Sequence, residues 1–340
     1  MAAPLATAQS SPSAVPGKGI RLGIDSYSVR AFGWKAPQLL EYAAALRLDT
    51  VLFSDLNVYE SHSESYLHEL KAKADALGIE IQAGMLSICP SSVRFDATRG
   101  SAEDQLQQTI RIAMALGSPI VRCVLGDVRD RRSPGGIEAR IVETVGVLKR
   151  IRTHALDCGV KVAVENHAGD MQAWELVTLI EAADPDFVGA TMDCGNAAWA
   201  LEHPAENLEI LGPYALASGV RDSVLWEVED GTILQWTAIG EGGVDWPAYF
   251  KRFAQICPET PVQVETISGR PISIPFWKES FWEAYRAART PEFVKFLALA
   301  RKGKPLAPVV NADVDGAYQL AQLDQSVRYC KEVLGLGRRV

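Results

Sequence analysis

Eight short apolar stretches, each followed by a helix-length amphipathic segment, constrain the fold of this chain more than any other feature. They are IRLGID (20–25), DTVLFSD (49–55), IEIQAGM (79–85), PIVRCVL (119–125), VKVAVE (160–165), FVGATMD (187–193), YALASGVRD (214–222) and PVQVET (261–266). Most are largely apolar rather than alternating, which is typical of parallel strands covered on both faces. Eight β-then-α units predict a closed (β/α)8 TIM barrel. The alternative is an open doubly wound sheet, although no G-x-G-x-x-G follows the first strand.

The segments around this repeat predict three regions. Residues 1–19 are rich in Ala, Ser and Pro, which predicts a disordered leader. Residues 20–303 form the barrel, with a hairpin insertion after strand seven where two β-like arms flank Asp230-Gly231. Residues 304–340 predict a C-terminal helical extension that packs on the barrel or on a partner subunit of a homo-oligomer. We expect a cytoplasmic location, or a periplasmic one if ATAQS in the leader is the remnant of an export signal.

Composition excludes several classes of partner. The formal net charge of -8 leaves no basic face for nucleic acid, and no apolar stretch is long enough to span a membrane. The six cysteines are far apart and form no C-x-x-C pair, so neither a zinc ribbon nor a disulfide scaffold is expected. Few basic residues stand near the predicted strand ends, which argues against a heavily phosphorylated substrate. A small-molecule partner remains.

Three apolar strands end in a carboxylate. Glu165 ends strand five, Asp193 ends strand six and Glu265 ends strand eight. In a barrel these strand ends face one pocket, and buried like charges are costly unless a cation or a donor-rich substrate pairs with them. Oxygen ligands favour Mg²⁺ or Mn²⁺. Each carboxylate alone can instead cap the helix that follows it.

The motifs VAVENHAGD, TMDCGNAAWALEHP, GVRDS and QVET resemble those of the xylose isomerase-like TIM barrels, specifically the sugar phosphate isomerase/epimerase family, over about residues 20–300. In that family a divalent ion is held by Glu, Asp, His and Glu from strands five to eight. The resemblance implies a Mn²⁺ or Mg²⁺ ion held by Glu165, Asp193 and Glu265, with Glu165 and Glu265 as catalytic acid and base. Gly219 stands where the family has its histidine, so that ligand is missing.

Five further residues near the strand ends are substrate-binding candidates: His167, Asn196, Arg221, Arg122 and Trp226. His167 lies two residues past Glu165, where an imidazole can contact substrate or transfer a proton, unless it is structural. Asn196 either binds a sugar hydroxyl or caps a helix. An aromatic face stacks well on a sugar ring, which favours Trp226 and Trp236 on the hairpin, unless both are core residues.

The two arginines have competing interpretations. Arg122 lies inside an apolar strand, so it needs an anionic partner, either one of the carboxylates or the substrate. Arg221 either polarises a substrate carbonyl or forms a structural ion pair with its neighbour Asp222.

The resemblance implies an isomerase or epimerase that acts on a carbohydrate, namely a sugar, keto-sugar or glycoside, by metal-assisted proton abstraction next to a carbonyl. The outcome is epimerisation, aldose–ketose isomerisation, or β-elimination by a lyase on a keto-glycoside. The alternative suggested by Gly219 is a barrel that has lost the metal site and serves as a non-catalytic sugar-binding or partner subunit. An endonuclease-like phosphodiesterase needs a histidine-rich zinc site, and the five histidines are scattered.

Overall fold

The structure, a computed structural model, describes residues 17–338 and has a closed barrel of eight parallel strands at its centre. In chain order the strands are β1 (Leu22–Asp25), β2 (Thr50–Phe53), β3 (Glu80–Ser87), β4 (Ile120–Val124), β5 (Lys161–Glu165), β6 (Val188–Asp193), β7 (Ala215–Val220), β8 (Asp222–Val228), β9 (Gly231–Thr237), β10 (Val262–Val264) and β11 (Pro271–Ile274). Strands β1 to β7 pair in chain order, and β10 closes the barrel between β7 and β1. The predicted (β/α)8 fold is confirmed. Residues 1–16 of the predicted leader lie outside the described range.

The predicted hairpin after the seventh barrel strand is also confirmed. Strands β8 and β9 are antiparallel, and Val228 pairs with Gly231 beside the turn. The sequence did not predict β11, which adds a third antiparallel strand along β9. A Cβ atom at Gly231 would lie 2.2 Å from the carbonyl oxygen of Ile274, so glycine is what lets β11 approach this closely.

Amphipathic helices surround the barrel. They are α1 (Ala36–Ala45), α2 (Glu64–Leu77), α3 (Ala102–Leu116), α4 (Gly136–Asp157), α5 (Ala173–Ala183), α6 (Cys194–Trp199), α7 (Pro204–Leu211), α8 (Trp246–Ile256), α9 (Thr290–Ala300) and α10 (Gly316–Glu332). The hydroxyls of Ser63 and Ser101 cap the first turns of α2 and α3. Gly78 and Gly117 end these two helices in the left-handed conformation, which glycine adopts without a steric penalty. Within residues 17–338 no helix is both long and apolar enough to cross a membrane.

The C-terminal helix shares the core of the barrel. Leu323, Val327 and Cys330 of α10 are buried in the same apolar cluster as the barrel strands and their helices. The helix packs against β10 and against the 3-10 helix Ser26–Phe32 that follows β1. The protein therefore uses α10 to cover the junction at which the first and last barrel strands meet.

One buried carboxylate outside the barrel predicts how stability depends on pH. Glu202 is 1% exposed and accepts hydrogen bonds from the backbone N–H of Ala173 (2.8 Å) and the Nδ2 of Asn207 (3.3 Å). Burial raises the pKa of Glu202 to about 8. The folded chain therefore binds more protons than the unfolded chain between the ordinary carboxyl pKa and about 8, and stability falls as pH rises through this window.

Glu202→Gln should remove this slope. Its new amide can donate to Oδ1 of Asn207, which is buried without a hydrogen-bond partner. We expect the variant to gain about 4 kcal/mol in the free energy of unfolding relative to the natural protein between pH 5 and 9. Urea unfolding at several pH values measures this difference. Parallel stability curves for the two proteins would show that folding does not raise the pKa of Glu202.

Candidate active site

Four carboxylates lie together at the C-terminal ends of the barrel strands. Asp25 ends β1, Glu165 ends β5, Asp193 ends β6, and Glu265 directly follows β10. They are close enough for the charges of Asp25 and Asp193 to raise the pKa of both Glu165 and Glu265. The structure thus brings together the three residues singled out in the sequence. It adds Asp25, which the sequence analysis missed although IRLGID ends on a carboxylate in the same way.

Arg122 neutralises Glu165. Its Nε and Nη2 atoms lie 2.6 and 2.5 Å from Oε2 of Glu165, and both side chains are about 4% exposed. Nη1 donates more weakly to the carbonyl oxygens of Ser54 and Met85. The buried arginine therefore has the carboxylate partner that its place in an apolar strand requires.

Arg221 bridges two other carboxylates. Nη2 of Arg221 donates to Oδ2 of Asp193 and lies 3.1 Å from Oε2 of Glu265. Nε lies 3.3 Å from Oδ1 of Asp193. The alternative pairing with Asp222 is not formed, because Asp222 accepts instead from Nε1 of Trp246 (2.8 Å) and from nearby backbone N–H groups.

The position of Gly219 explains how Arg221 reaches this place. Gly219 pairs with Asp193 across β6 and β7, and a Cβ atom there would lie 2.8 Å from Oδ2 of Asp193. Gly219 and Arg221 are two residues apart, so they face the same side of an extended chain. The guanidinium of Arg221 contacts the same carboxylate oxygen toward which a side chain at position 219 would point.

Asn196 and His167 flank the carboxylates. The backbone N–H of Asn196 donates to Oδ1 of Asp193, so Asp193 does cap α6, and Nδ2 of Asn196 lies 3.2 Å from Oε1 of Glu165. Nδ1 of His167 lies 2.6 Å from the carbonyl oxygen of Gly126. A carbonyl only accepts, so Nδ1 carries the proton and Nε2 is left as an acceptor.

Burial sets the protonation of these groups. It raises the pKa of Glu165 to about 7, against the opposing charge of Arg122. It raises the pKa of Glu265 well above its ordinary value, against the opposing charge of Arg221. Burial and Arg122 lower the pKa of His167 to about 3, so this imidazole is neutral at physiological pH. Carboxyl groups with raised pKa values can give and take protons near neutral pH.

Part of this cluster lines a cavity of about 260 Å³, which we call the strand-end cavity. Of the four carboxylates, Glu265 lines it, whereas Asp25, Glu165 and Asp193 are not among its lining residues. Among its lining residues are Arg122, His167, Asn196, Arg221 and Glu265. Trp199 and Trp236 form part of its wall, with ring centroids 5.4 Å apart and nearly perpendicular planes. Nε1 of Trp236 is buried and has no hydrogen-bond partner within residues 17–338.

The structure does not bring Trp226 to the strand-end cavity. Trp226 pairs with Ile233 across the hairpin, whereas Trp236 pairs with Ser223. Side chains alternate along a strand, so these two pairs lie on opposite faces of the hairpin sheet. Trp236 lines the cavity and Trp226 is not among its lining residues. The substrate-binding role of Trp226 stays a prediction.

The donor set in its present arrangement does not fit a divalent ion. Glu165, Asp193 and Glu265 each pair with a guanidinium group, and Gly219 supplies no side-chain ligand. Within residues 17–338 no group of three or more His, Cys, Asp and Glu side chains is arranged to hold a metal. An ion that bound Oδ2 of Asp193 and Oε2 of Glu265 would have to displace the guanidinium of Arg221 from both oxygens. The assignment of metal ligands stays a prediction.

Comparison with known proteins identifies the family. Residues 40–289 match the family model of the xylose isomerase-like TIM barrel. The chain is also similar to the 3-oxo-isoapionate decarboxylase of Pectobacterium atrosepticum, at 21% identity over 239 residues, which are 67% of this chain and 78% of the relative. The chain belongs to the xylose isomerase-like TIM barrel family, as the sequence motifs predicted.

Solved structures share the fold. A D-psicose 3-epimerase, determined in the presence of D-fructose, has a TM-score of 0.61 and 15% identity, over 93% of this chain and 100% of the epimerase. A xylose isomerase-like TIM barrel protein from Mycobacterium smegmatis in complex with magnesium has a TM-score of 0.57 and 14% identity, over 84% of this chain and 97% of that protein. At these identities the similarity establishes the architecture.

Proposed function

We propose that the protein is a sugar-modifying enzyme that transfers a proton at the carbon next to a carbonyl group. The observation that carries this proposal is that Glu265 and Arg221 line one cavity, while a second carboxyl group with a raised pKa, Glu165, contacts the lining residues Arg122 and Asn196. Such a reaction needs a base, an acid and a positive group for the charge that develops on the carbonyl oxygen. Glu165, Glu265 and Arg221 supply these three functions.

The remaining polar atoms of the cavity suit a polyhydroxylated ligand. Nε1 of Trp236 is a donor without a partner within residues 17–338, and burying it unpaired is unfavourable unless a ligand oxygen accepts from it. Nε2 of neutral His167 is an acceptor for a hydroxyl group. The ring faces of Trp199 and Trp236 offer apolar area to the C–H groups of a sugar.

The relatives support this class of chemistry. One is a sugar 3-epimerase studied with D-fructose, and another removes a carboxyl group from a 3-oxo compound. Epimerisation, aldose–ketose isomerisation, β-elimination and decarboxylation beside a keto group share one requirement. Each builds negative charge on the carbonyl oxygen while the bonds of a neighbouring carbon change. The proposal therefore covers this group of reactions on keto-sugars.

A divalent ion, Mn²⁺ or Mg²⁺, is the second candidate for the positive group. The relative in complex with magnesium favours it. The pairing of Arg221 with both Asp193 and Glu265 favours the guanidinium instead. We propose that Arg221 takes the place that the family gives to the ion.

The direct test is exchange of carbon-bound hydrogen with solvent deuterium. D-fructose, D-tagatose and 3-keto-D-glucose are incubated with the protein in D2O and followed by NMR spectroscopy. We expect deuterium at the carbon next to the carbonyl of at least one sugar, at a rate proportional to enzyme concentration. Binding of these sugars without exchange would favour the non-catalytic sugar-binding barrel and contradict the proposal.

Metal content separates the two candidates for the positive group. With Arg221 in place, we expect the untagged protein to contain much less than one Mn²⁺, Mg²⁺ or Zn²⁺ ion per chain after dialysis, and deuterium exchange to survive a chelator. Elemental mass spectrometry measures the content. About one ion per chain, lost in Glu165→Ala, would show that the carboxylates bind metal in spite of Arg221.

A further inference from the structure

Arginines also line the mouth of the strand-end cavity. Arg30, Arg94 and Arg270 reach it from the segments after β1, after β3 and before β11, in addition to Arg122 and Arg221 at the floor. Among residues 17–338 no lysine lines the cavity. We call Arg30, Arg94 and Arg270 the mouth arginines. The sequence has few basic residues near the strand ends. The segments that follow the strands nevertheless bring three arginines from distant parts of the chain to the cavity.

Arg94 lines the cavity and pairs with Asp127. Its Nε donates to Oδ2 of Asp127 at 2.7 Å, and the side chain is 48% exposed. Within residues 17–338 neither Nη1 nor Nη2 of Arg94 has a hydrogen-bond partner among the contacts that the structure records. Asp127 also accepts from Arg129 at 2.6 Å, so one carboxylate serves two guanidinium groups.

Arg270 and Arg30 share a carboxylate in the same way. Nη2 of Arg30 lies 2.6 Å from Oδ1 of Asp313, whereas Nη1 of Arg270 lies 3.7 Å from Oδ2. The second distance is too long for a hydrogen bond, and Arg270 is 69% exposed. With Asp55, which also lines the cavity, three carboxylates face the three mouth arginines and Arg129. The mouth therefore has more positive than negative groups.

We infer that the substrate is a sugar with one oxyanion group, a carboxylate or a phosphate, which binds Arg94 and Arg270 while its carbonyl end faces Arg221. The inference rests on the proposed function and names its substrate class. Guanidinium forks bind carboxylate and phosphate oxygens in pairs. Arg122 and Arg221 at the floor are already paired with Glu165, Asp193 and Glu265, whereas the mouth has more positive than negative groups, so the oxyanion group binds at the mouth. A cavity of about 260 Å³ is near the small end for ligand sites and suits one sugar unit.

The test compares three ligands that differ at one carbon. D-fructose, D-fructuronate and D-fructose 6-phosphate share a skeleton and carry a hydroxyl, a carboxylate and a phosphate at carbon six. Isothermal titration calorimetry uses protein with Glu265→Gln, so that turnover does not consume the ligand. We expect at least one anion to bind about tenfold or more tightly than D-fructose, and added salt to reduce this preference. The tighter of the two anions identifies the natural group.

Substitutions at the mouth complete the test. In the double variant Arg94→Gln, Arg270→Gln the preference should fall to about twofold or less, while the affinity for D-fructose stays the same. Arg252→Gln on α8 removes one arginine from a surface ion pair with Glu209 and should retain the preference. D-fructose binding as tightly as both anions, no binding of either anion, or a preference that survives the double variant would overturn the inference. Anion preference without deuterium exchange would refute only the proposed function.

Discussion

Glu265→Gln and Glu165→Gln should each reduce the rate of deuterium exchange into a bound keto-sugar by a factor of about 10² to 10⁴. Glutamine keeps the size of the side chain but has no carboxyl group that could accept a proton from the substrate or donate one to it. Burial raises the pKa of both carboxyl groups, to about 7 for Glu165, so each binds a proton more readily than an exposed carboxylate does. The measurement is the initial rate of exchange by NMR spectroscopy with ligand at saturation.

The variants also need a stability control. Glu165 and Glu265 each pair with a buried arginine, so a neutral side chain leaves a guanidinium with fewer charged partners. Glu209→Gln makes the same chemical change in a surface ion pair with Arg252 and should leave the exchange rate unchanged. Thermal melting shows whether each variant is folded at the assay temperature. Folded Glu165→Gln and Glu265→Gln proteins with full exchange rates would remove both residues from the proposed chemistry.

The sequence predicted the positions of the carboxylates because their signal is local. Glu165, Asp193 and Glu265 each stand at the end of an apolar stretch, and a parallel barrel brings such ends together. Which charged groups pair depends instead on residues that are distant in the sequence. Arg221 is adjacent to Asp222 in the sequence, yet it binds Asp193 across β6 and β7, because glycine at 219 leaves that side of the strand open.

The hairpin shows a different limit. Its two arms and turn were predicted from the Asp230-Gly231 pair and the β-like residues on either side of it. The alternation of side chains along a strand places Trp226 and Trp236 on opposite faces of the sheet. Nothing local tells which face turns toward the barrel. That choice depends on packing, since Leu225, Leu234 and Trp236 share a second apolar cluster with Phe276 and Phe296. Tertiary packing thus decides which tryptophan faces the cavity.

Gly219→His combined with Arg221→Ala should convert the site into a metal site. The change frees Asp193 and Glu265 from the guanidinium, and position 219 lies beside Asp193 in the register of β6 and β7. An imidazole there completes a set of three carboxylates and one histidine. We expect the double variant to retain about one Zn²⁺ or Mn²⁺ ion per chain after dialysis, by elemental mass spectrometry.

The single variants show which feature keeps the ion out. A Cβ atom at 219 is 2.8 Å from Oδ2 of Asp193, so Gly219→His alone crowds a carboxylate that Arg221 still holds, and it should bind no ion. Arg221→Ala alone removes the competing cation but leaves only carboxylates, so it should bind more weakly than the double variant. If the folded double variant holds no ion, competition by Arg221 is not what separates this site from the metal-binding arrangement of the family. If all three variants and the natural protein bind equally, the guanidinium moves aside readily and the metal-assisted reaction becomes the better account of the cavity.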